Sequence, residues 1–123
     1  QTRSLAVQKG PCRFEERGGV ADYLRAMTQA LSPEGRAVIC HASRHRARVL
    51  EAITASGLEL ERCVEVIPKQ GRAALVDVFV LNRSDPRTKP VWEQLVVRDA
   101  HDQWTPAFLT VRLAMGMPPR PRA

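Results

Sequence analysis

No stretch of this chain approaches the roughly 18 consecutive apolar residues that a membrane span needs, and its first twenty residues mix charge with glycine, unlike a secretory leader. A soluble, cytoplasmic protein is the expectation, with no membrane partner. Cysteine is scarce: Cys12, Cys40 and Cys63 form no CxxC pair, and their odd number argues against a closed disulfide framework, so reduced thiols are expected. Clustered glycine is lacking too. A cofactor loop needs glycines between a strand and a helix so that backbone can approach the ligand; Gly18-Gly19 precedes a helical pattern but follows no strand, and reads as a flexible entry to that helix. Metal-ligand spacing is also missing. Cys40, His41 and His45 lie close together, and imidazole with thiolate is a common zinc set, but without paired spacing no metal is expected and Cys40 reads as a small buried hydrophobe. The first residue is Gln1 rather than Met, from which we expect a further N-terminal piece.

Arginine, by contrast, is abundant. The 123 residues carry a net charge of +6, and sixteen of the nineteen basic residues are arginine, the side chain best suited to bidentate phosphate contacts. A polyanionic partner is one reading; arginine spread over solvated faces is the other. Arg44, Arg46 and Arg48 cluster with His45 at the start of a predicted helix, where the helix dipole disfavours positive charge. That conflict suggests phosphate contacts, although Glu51 partly offsets the cluster. Lys69 and Arg72 fall in a predicted loop, and Arg13-Phe14-Glu15-Glu16-Arg17 alternates charge around one aromatic.

Residues 1–19 have no steady period and read as a loop or arm. From Val20, apolar residues recur at Tyr23, Leu24, Met27 and Leu31, the spacing of an amphipathic helix. Pro33-Glu34-Gly35 supplies a turn, and Ala37-Val38-Ile39-Cys40 is the continuous apolar run of a buried central strand over Arg36 to His41. Ser43 is placed to cap a second helix that presents Ala47, Leu50 and Ile53 and ends at Gly57, with Leu58 closing over its end. Leu58 to Ile67 and Ala73 to Asn82 are strand-like and separated by a hairpin-length loop, so they are expected to pair antiparallel. Leu95-Val96-Val97 is a short extended piece. Thr105-Pro106 opens a last helix, with Trp104 and Leu109 spaced for a hydrophobic staple. Residues 20–116 thus form the structured part, and 117–123, with three prolines, a mobile tail. The order of helix, strand, helix and antiparallel hairpin gives an α/β fold, the closing half of a Rossmann-like sheet.

Several of these segments resemble the tRNA adenine methyltransferase family of class I, S-adenosylmethionine-dependent enzymes. The carriers are Cys12-Arg13-Phe14-Glu15-Glu16-Arg17-Gly18-Gly19, the helix that follows, Leu31-Ser32-Pro33-Glu34-Gly35-Arg36, the basic loop Val66-Ile67-Pro68-Lys69-Gln70-Gly71-Arg72, and Leu95-Val96-Val97-Arg98-Asp99 with Trp104-Thr105-Pro106. In order and spacing they cover Cys12 to Gly116. The resemblance implies the C-terminal half of a methyltransferase sheet, incomplete without an N-terminal half. It implies methyl transfer from S-adenosylmethionine to the exocyclic amine of an adenine in tRNA-like RNA. It also places Arg13, Glu15 and Arg17 on the substrate side.

The chain departs from that family where the chemistry lies. The glycine-rich loop after the first strand, the acidic residue after the second and the Asn-Pro-Pro-aromatic motif after the fourth are all missing; Pro118-Pro119 follows Met117 and precedes Arg120. No catalytic or cofactor-binding residue is therefore carried over, and the chain alone is expected neither to bind the methyl donor nor to be active. Two other readings stay open. One is a non-catalytic basic protein that binds nucleic acid through Arg44, Arg46, Arg48, Lys69 and Arg72. The other is a self-associating scaffold in which the exposed sheet edge pairs with the N-terminal half or with a second copy.

Overall fold

The computed structural model describes residues 19–83 and 89–117. Of the predicted arm, 1–18 lie outside them and Gly19 opens the first helix, and the tail beyond Met117 also lies outside them. Helix α1 spans Gly19–Ala30, strand β1 Arg36–Ala42, helix α2 Arg46–Ser56, strand β2 Glu59–Lys69, strand β3 Val76–Asn82, strand β4 Val91–Arg98 and helix α3 Pro106–Ala114, with a 3-10 turn at Ser43–His45. The four strands form one sheet in the order β1-β3-β2-β4. β3 runs antiparallel to both β1 and β2, and β4 runs parallel to β2. It follows that β1, β2 and β4 point the same way, with β3 reversed between the first two. The expected antiparallel hairpin is present, and the mixed α/β architecture is the one expected from the sequence.

Each element follows from its pattern, with corrections where packing decided. In α1, Val20 and Leu24 are buried while Tyr23 is exposed, so the apolar stripe is narrower than its spacing suggested. In α2 the buried residues are Val49, Ala52 and Ile53, whereas Ala47 is exposed and Leu50 is only half-buried. The inward face is thus rotated from the predicted one, sharing Ile53 with it and keeping Leu50 packed at its margin. Ser43 does not cap α2: no side chain caps that helix, and Ser43 instead donates to Asp77. The helix ends as expected at Gly57, whose φ of 84° is left-handed backbone that a residue with a Cβ enters only with strain. Leu58 then folds into the core.

One core lies between the two helices and one face of the sheet. Val20 and Leu24 of α1 and Val49, Ala52 and Ile53 of α2 pack on Ala37, Ile39, Cys63, Phe79 and Leu81. The alternate positions point the other way, and β1 shows the consequence: Ala37 and Ile39 are buried, while Val38 is 55% exposed and Cys40 is exposed. The expectation of a strand buried on both faces is corrected, and so is that of Cys40 as a buried hydrophobe; Cys63 holds that place. Among the described residues β1 is an edge strand rather than a central one.

The short piece at Leu95 is the middle of a full eight-residue strand. Its N-terminal half alternates too weakly for periodicity to reveal it, because β4 lies at the other edge and Val91 and Trp92 remain largely exposed. Thr105 caps α3 as predicted, accepting the Phe108 amide, with Pro106 in the first turn. The ring that packs on Trp104 is Phe108, edge to face at 5.7 Å. No helix among the described residues is long and apolar enough to cross a membrane.

Candidate functional site

Because β1, β2 and β4 run in parallel, their carboxyl ends, Ala42, Lys69 and Arg98, lie at one end of the sheet. In open α/β sheets this is the end where ligands collect, since the turns leaving the strands supply backbone and side chains to a common crevice. Hydrogen bonds between backbone groups tie these turns together. The Ser43 amide donates to the Leu75 carbonyl at 3.0 Å, and the Gln70 amide to the Arg98 carbonyl at 2.8 Å. A shallow cleft of about 350 Å³ opens beside the end of β1, lined by Cys40, His41, Ala42, Arg44, Leu75 and Val76.

A charge cluster anchors this end. Asp77 is completely buried on β3. The Arg46 guanidinium grips its carboxylate with both prongs, Nε to Oδ2 at 2.7 Å and Nη2 to Oδ1 at 2.8 Å, and Ser43 Oγ adds a third hydrogen bond at 2.8 Å. Arg46 also donates to Glu65 at 2.6 Å and lies 5.7 Å from the centre of the Trp92 ring. Burial pushes the Asp77 carboxyl up, but the bonds from Arg46 and Ser43 outweigh it and hold the group below the usual carboxylate range. For Arg46, the hydrogen bond to Asp77 raises its affinity for its proton further. The cluster pins the turn after β1 to the neighbouring strands β3 and β2.

This arrangement sorts the residues singled out by sequence. Arg44, Arg46, Arg48, Lys69 and Arg72, drawn from separate segments, all sit at this one end: Arg44 on the 3-10 turn, Arg46 and Arg48 in the first turn of α2, Arg72 in the hairpin loop, and Lys69, predicted in that loop, as the last residue of β2. They are not equivalent. Arg46 is locked into an internal ion pair, which gives it a structural job in place of the phosphate contact its position suggested. Arg44 is exposed, with Nε 3.3 Å from Nε2 of His45, and Arg48 is exposed on the first turn of α2. Lys69 lies 3.6 Å from Asp102, and Arg72 is exposed in the hairpin loop. Arg13, Glu15 and Arg17 lie outside the described residues. Sequence reasoning missed Asp77, which reads as one polar residue in an apolar strand. An acidic residue on the buried side of a strand, opposite an arginine-rich turn, was the available signal.

Neither a cofactor cradle nor a metal set is found among the described residues. The turn leaving β1, Ala42 to His45, has no glycine, and the one buried carboxylate at this end, Asp77, is enclosed and turned to Arg46 and Ser43, so it is not presented to a ribose hydroxyl. His41 and His45 meet edge to face at 5.4 Å, but no group of three metal-ligating side chains is assembled. The described residues therefore do not fit S-adenosylmethionine by themselves.

The sequence matches no family model and no curated protein. Its fold is similar to a crystal structure of a predicted O-methyltransferase from Agrobacterium tumefaciens, with a TM-score of 0.62 and 16% identity, over 78% of this chain and 45% of that one. The chain thus has a methyltransferase-like fold and spans less than half the length of that protein.

Proposed function

We propose that this chain is the closing part of an S-adenosylmethionine-dependent methyltransferase that acts on an adenine amine in tRNA-like RNA, and that it serves as the substrate-side wall of that enzyme. The observation that carries the reading is the β1-β3-β2 arrangement, a reversed strand between two parallel ones, with the likeness to a predicted O-methyltransferase. The donor and the motif that orients the amine would come from polypeptide outside the described residues, joined along the open edge of β1. An unpaired edge with apolar side chains is a template for a further strand.

On this reading Arg44, Arg48, Lys69 and Arg72 meet RNA phosphates beside the reacting base, and Arg46 holds the turn that carries Arg44. S-adenosylmethionine, when bound, supplies an electrophilic methyl group. The adenine amine is a weak nucleophile because its lone pair is delocalised into the ring, so the base must be unstacked and held in line. A basic rim favours RNA over a small hydroxyl acceptor.

The coding sequence upstream of Gln1 tests the reading directly: an in-frame strand, a glycine-rich turn and an Asn-Pro-Pro-aromatic segment are expected. Calorimetry on the chain alone should show no binding of S-adenosylmethionine, and tight stoichiometric binding would overturn the division of labour. A second reading, a non-catalytic RNA-binding protein, rests on the same basic rim. It takes over if the upstream sequence has no such segments while RNA binding persists with a steep salt dependence.

A further inference from the structure

The corner between β4 and α3 is built more rigidly than a connector requires. Past Arg98 the chain turns through Asp99–Gln103 and returns to bridge Arg98 at Trp104. The Asp99 carboxylate accepts the amides of His101 at 2.8 Å and Gln103 at 3.0 Å, and the Asp99 amide donates to the Gln103 carbonyl at 2.8 Å. Those amides hold the Asp99 carboxyl below its usual range. Asp102 is forced to a φ of 67°, the left-handed region that a non-glycine residue keeps only where its surroundings insist. On the other side, Thr105 donates to the Val96 carbonyl and accepts the Phe108 amide at 3.1 Å.

The product of this bracing is a fixed aromatic and cationic surface. The Arg112 guanidinium lies 4.3 Å from the centre of the Trp104 ring, with Arg98 at 5.9 Å and the Phe108 ring at 5.7 Å. The end of β2 with Lys69 and the hairpin loop with Arg72 abut the corner through the bond from Gln70 to Arg98. The acidic groups nearby are engaged, Asp99 with the turn amides and Asp102 with Lys69.

We infer that this corner is a contact surface for single-stranded RNA, on which an unpaired base stacks against the Trp104–Arg112 pair while flanking phosphates meet Arg98, Lys69 and Arg72. Indole and guanidinium planes suit the π-face of any base, and the surrounding cations suit the backbone. A duplex keeps its base faces covered and offers only phosphates. An acidic protein offers carboxylates but no planar rings in regular array. The inference rests on RNA being the partner in the reading above and adds where that partner is held.

The test uses the full chain with Trp92→Phe, which leaves Trp104 as the single tryptophan. Titration with a single-stranded oligoadenylate at low salt should quench its fluorescence saturably, and a duplex of the same length should compete far less well. Trp104→Leu and Arg112→Gln should each weaken binding of a labelled oligonucleotide about tenfold, the loss of roughly one stacked base. Arg98→Gln tests the same surface from an exposed position, and Arg25→Gln on α1 should bind as the parent chain does; circular dichroism verifies that each variant is folded. RNA binding with unquenched Trp104, parent-like affinity in folded variants, or equal competition by duplex overturns the inference while leaving the methyltransferase reading intact. Absence of any RNA affinity removes both the inference and the RNA part of that reading.

Discussion

Replacing Arg46 with methionine probes the cluster that organises the carboxyl end of the sheet. The substitution keeps most of the aliphatic stem but removes two hydrogen bonds, at 2.7 and 2.8 Å, from the fully buried Asp77, leaving it only Ser43. Stranding one member of a buried pair costs about 3–5 kcal/mol. Arg46 keeps a third of its side chain in solvent, so the lower end, about 3 kcal/mol at pH 7, is expected. The pH dependence is the sharper test. In the parent chain the Asp77 carboxyl is held below its unfolded value, near 4 for an ordinary aspartate, so its contribution is complete above about pH 4 and disappears as pH falls through the lower folded value. Without Arg46, burial dominates and the folded value rises above the unfolded one. The variant then binds more protons folded than unfolded, and loses stability relative to the parent chain as pH rises from about 4 toward 7. Urea denaturation followed by tryptophan fluorescence at pH 4, 5.5 and 7 measures the difference, which subtracts groups common to both chains. Arg46→Met with Asp77→Leu should recover part of the loss, because the fully buried charge is then gone and only the partly exposed Glu65 still lacks its arginine. A penalty under about 1 kcal/mol at pH 7, or a difference between variant and parent that does not change with pH, would refute this account of the cluster.

Other consequences are simpler. Phe79 is fully buried at the centre of the core, and Phe79→Ala should cost about 3–5 kcal/mol in the same denaturation assay. Thr105→Ala removes the α3 cap and the bond to Val96, which should cost about 1 kcal/mol and reduce hydrogen-exchange protection of the first turn of α3. Burial pushes the Cys63 thiol up to about 11, whereas Cys40 is exposed. In a Cys12→Ser background at pH 8, an aromatic disulfide reagent should therefore label Cys40 promptly and Cys63 only after unfolding; equal rates would contradict the packing.

The local elements were legible in the sequence because they are written in neighbouring residues. Periodicity from Val20 to Leu31, the glycine after α2, the hairpin between two Val-rich runs and the Thr105-Pro106 helix start each depend on side chains a few positions apart, and each is present. Tertiary contact decided what depends on distant partners. The face that α2 buries was set by the core it shares with Val20 and Leu24 of α1 and with the inward side chains of the sheet. Whether the apolar run in β1 is buried on one side or two depends on what packs there, which composition cannot encode, so Val38 and Cys40 are exposed while Cys63 is not.

The same division holds at the site. Arginine abundance, and the placing of Arg44 and Arg48 at a helix start and of Lys69 and Arg72 near a hairpin turn, are sequence properties. Their gathering at one end follows only from the parallel alignment of β1, β2 and β4. The removal of Arg46 from that rim required a carboxylate 31 residues further along the chain. Opposite charges that must leave water together will pair wherever the fold brings them within reach. The sequence carries both residues, and only the register of β3 between β1 and β2 makes them partners.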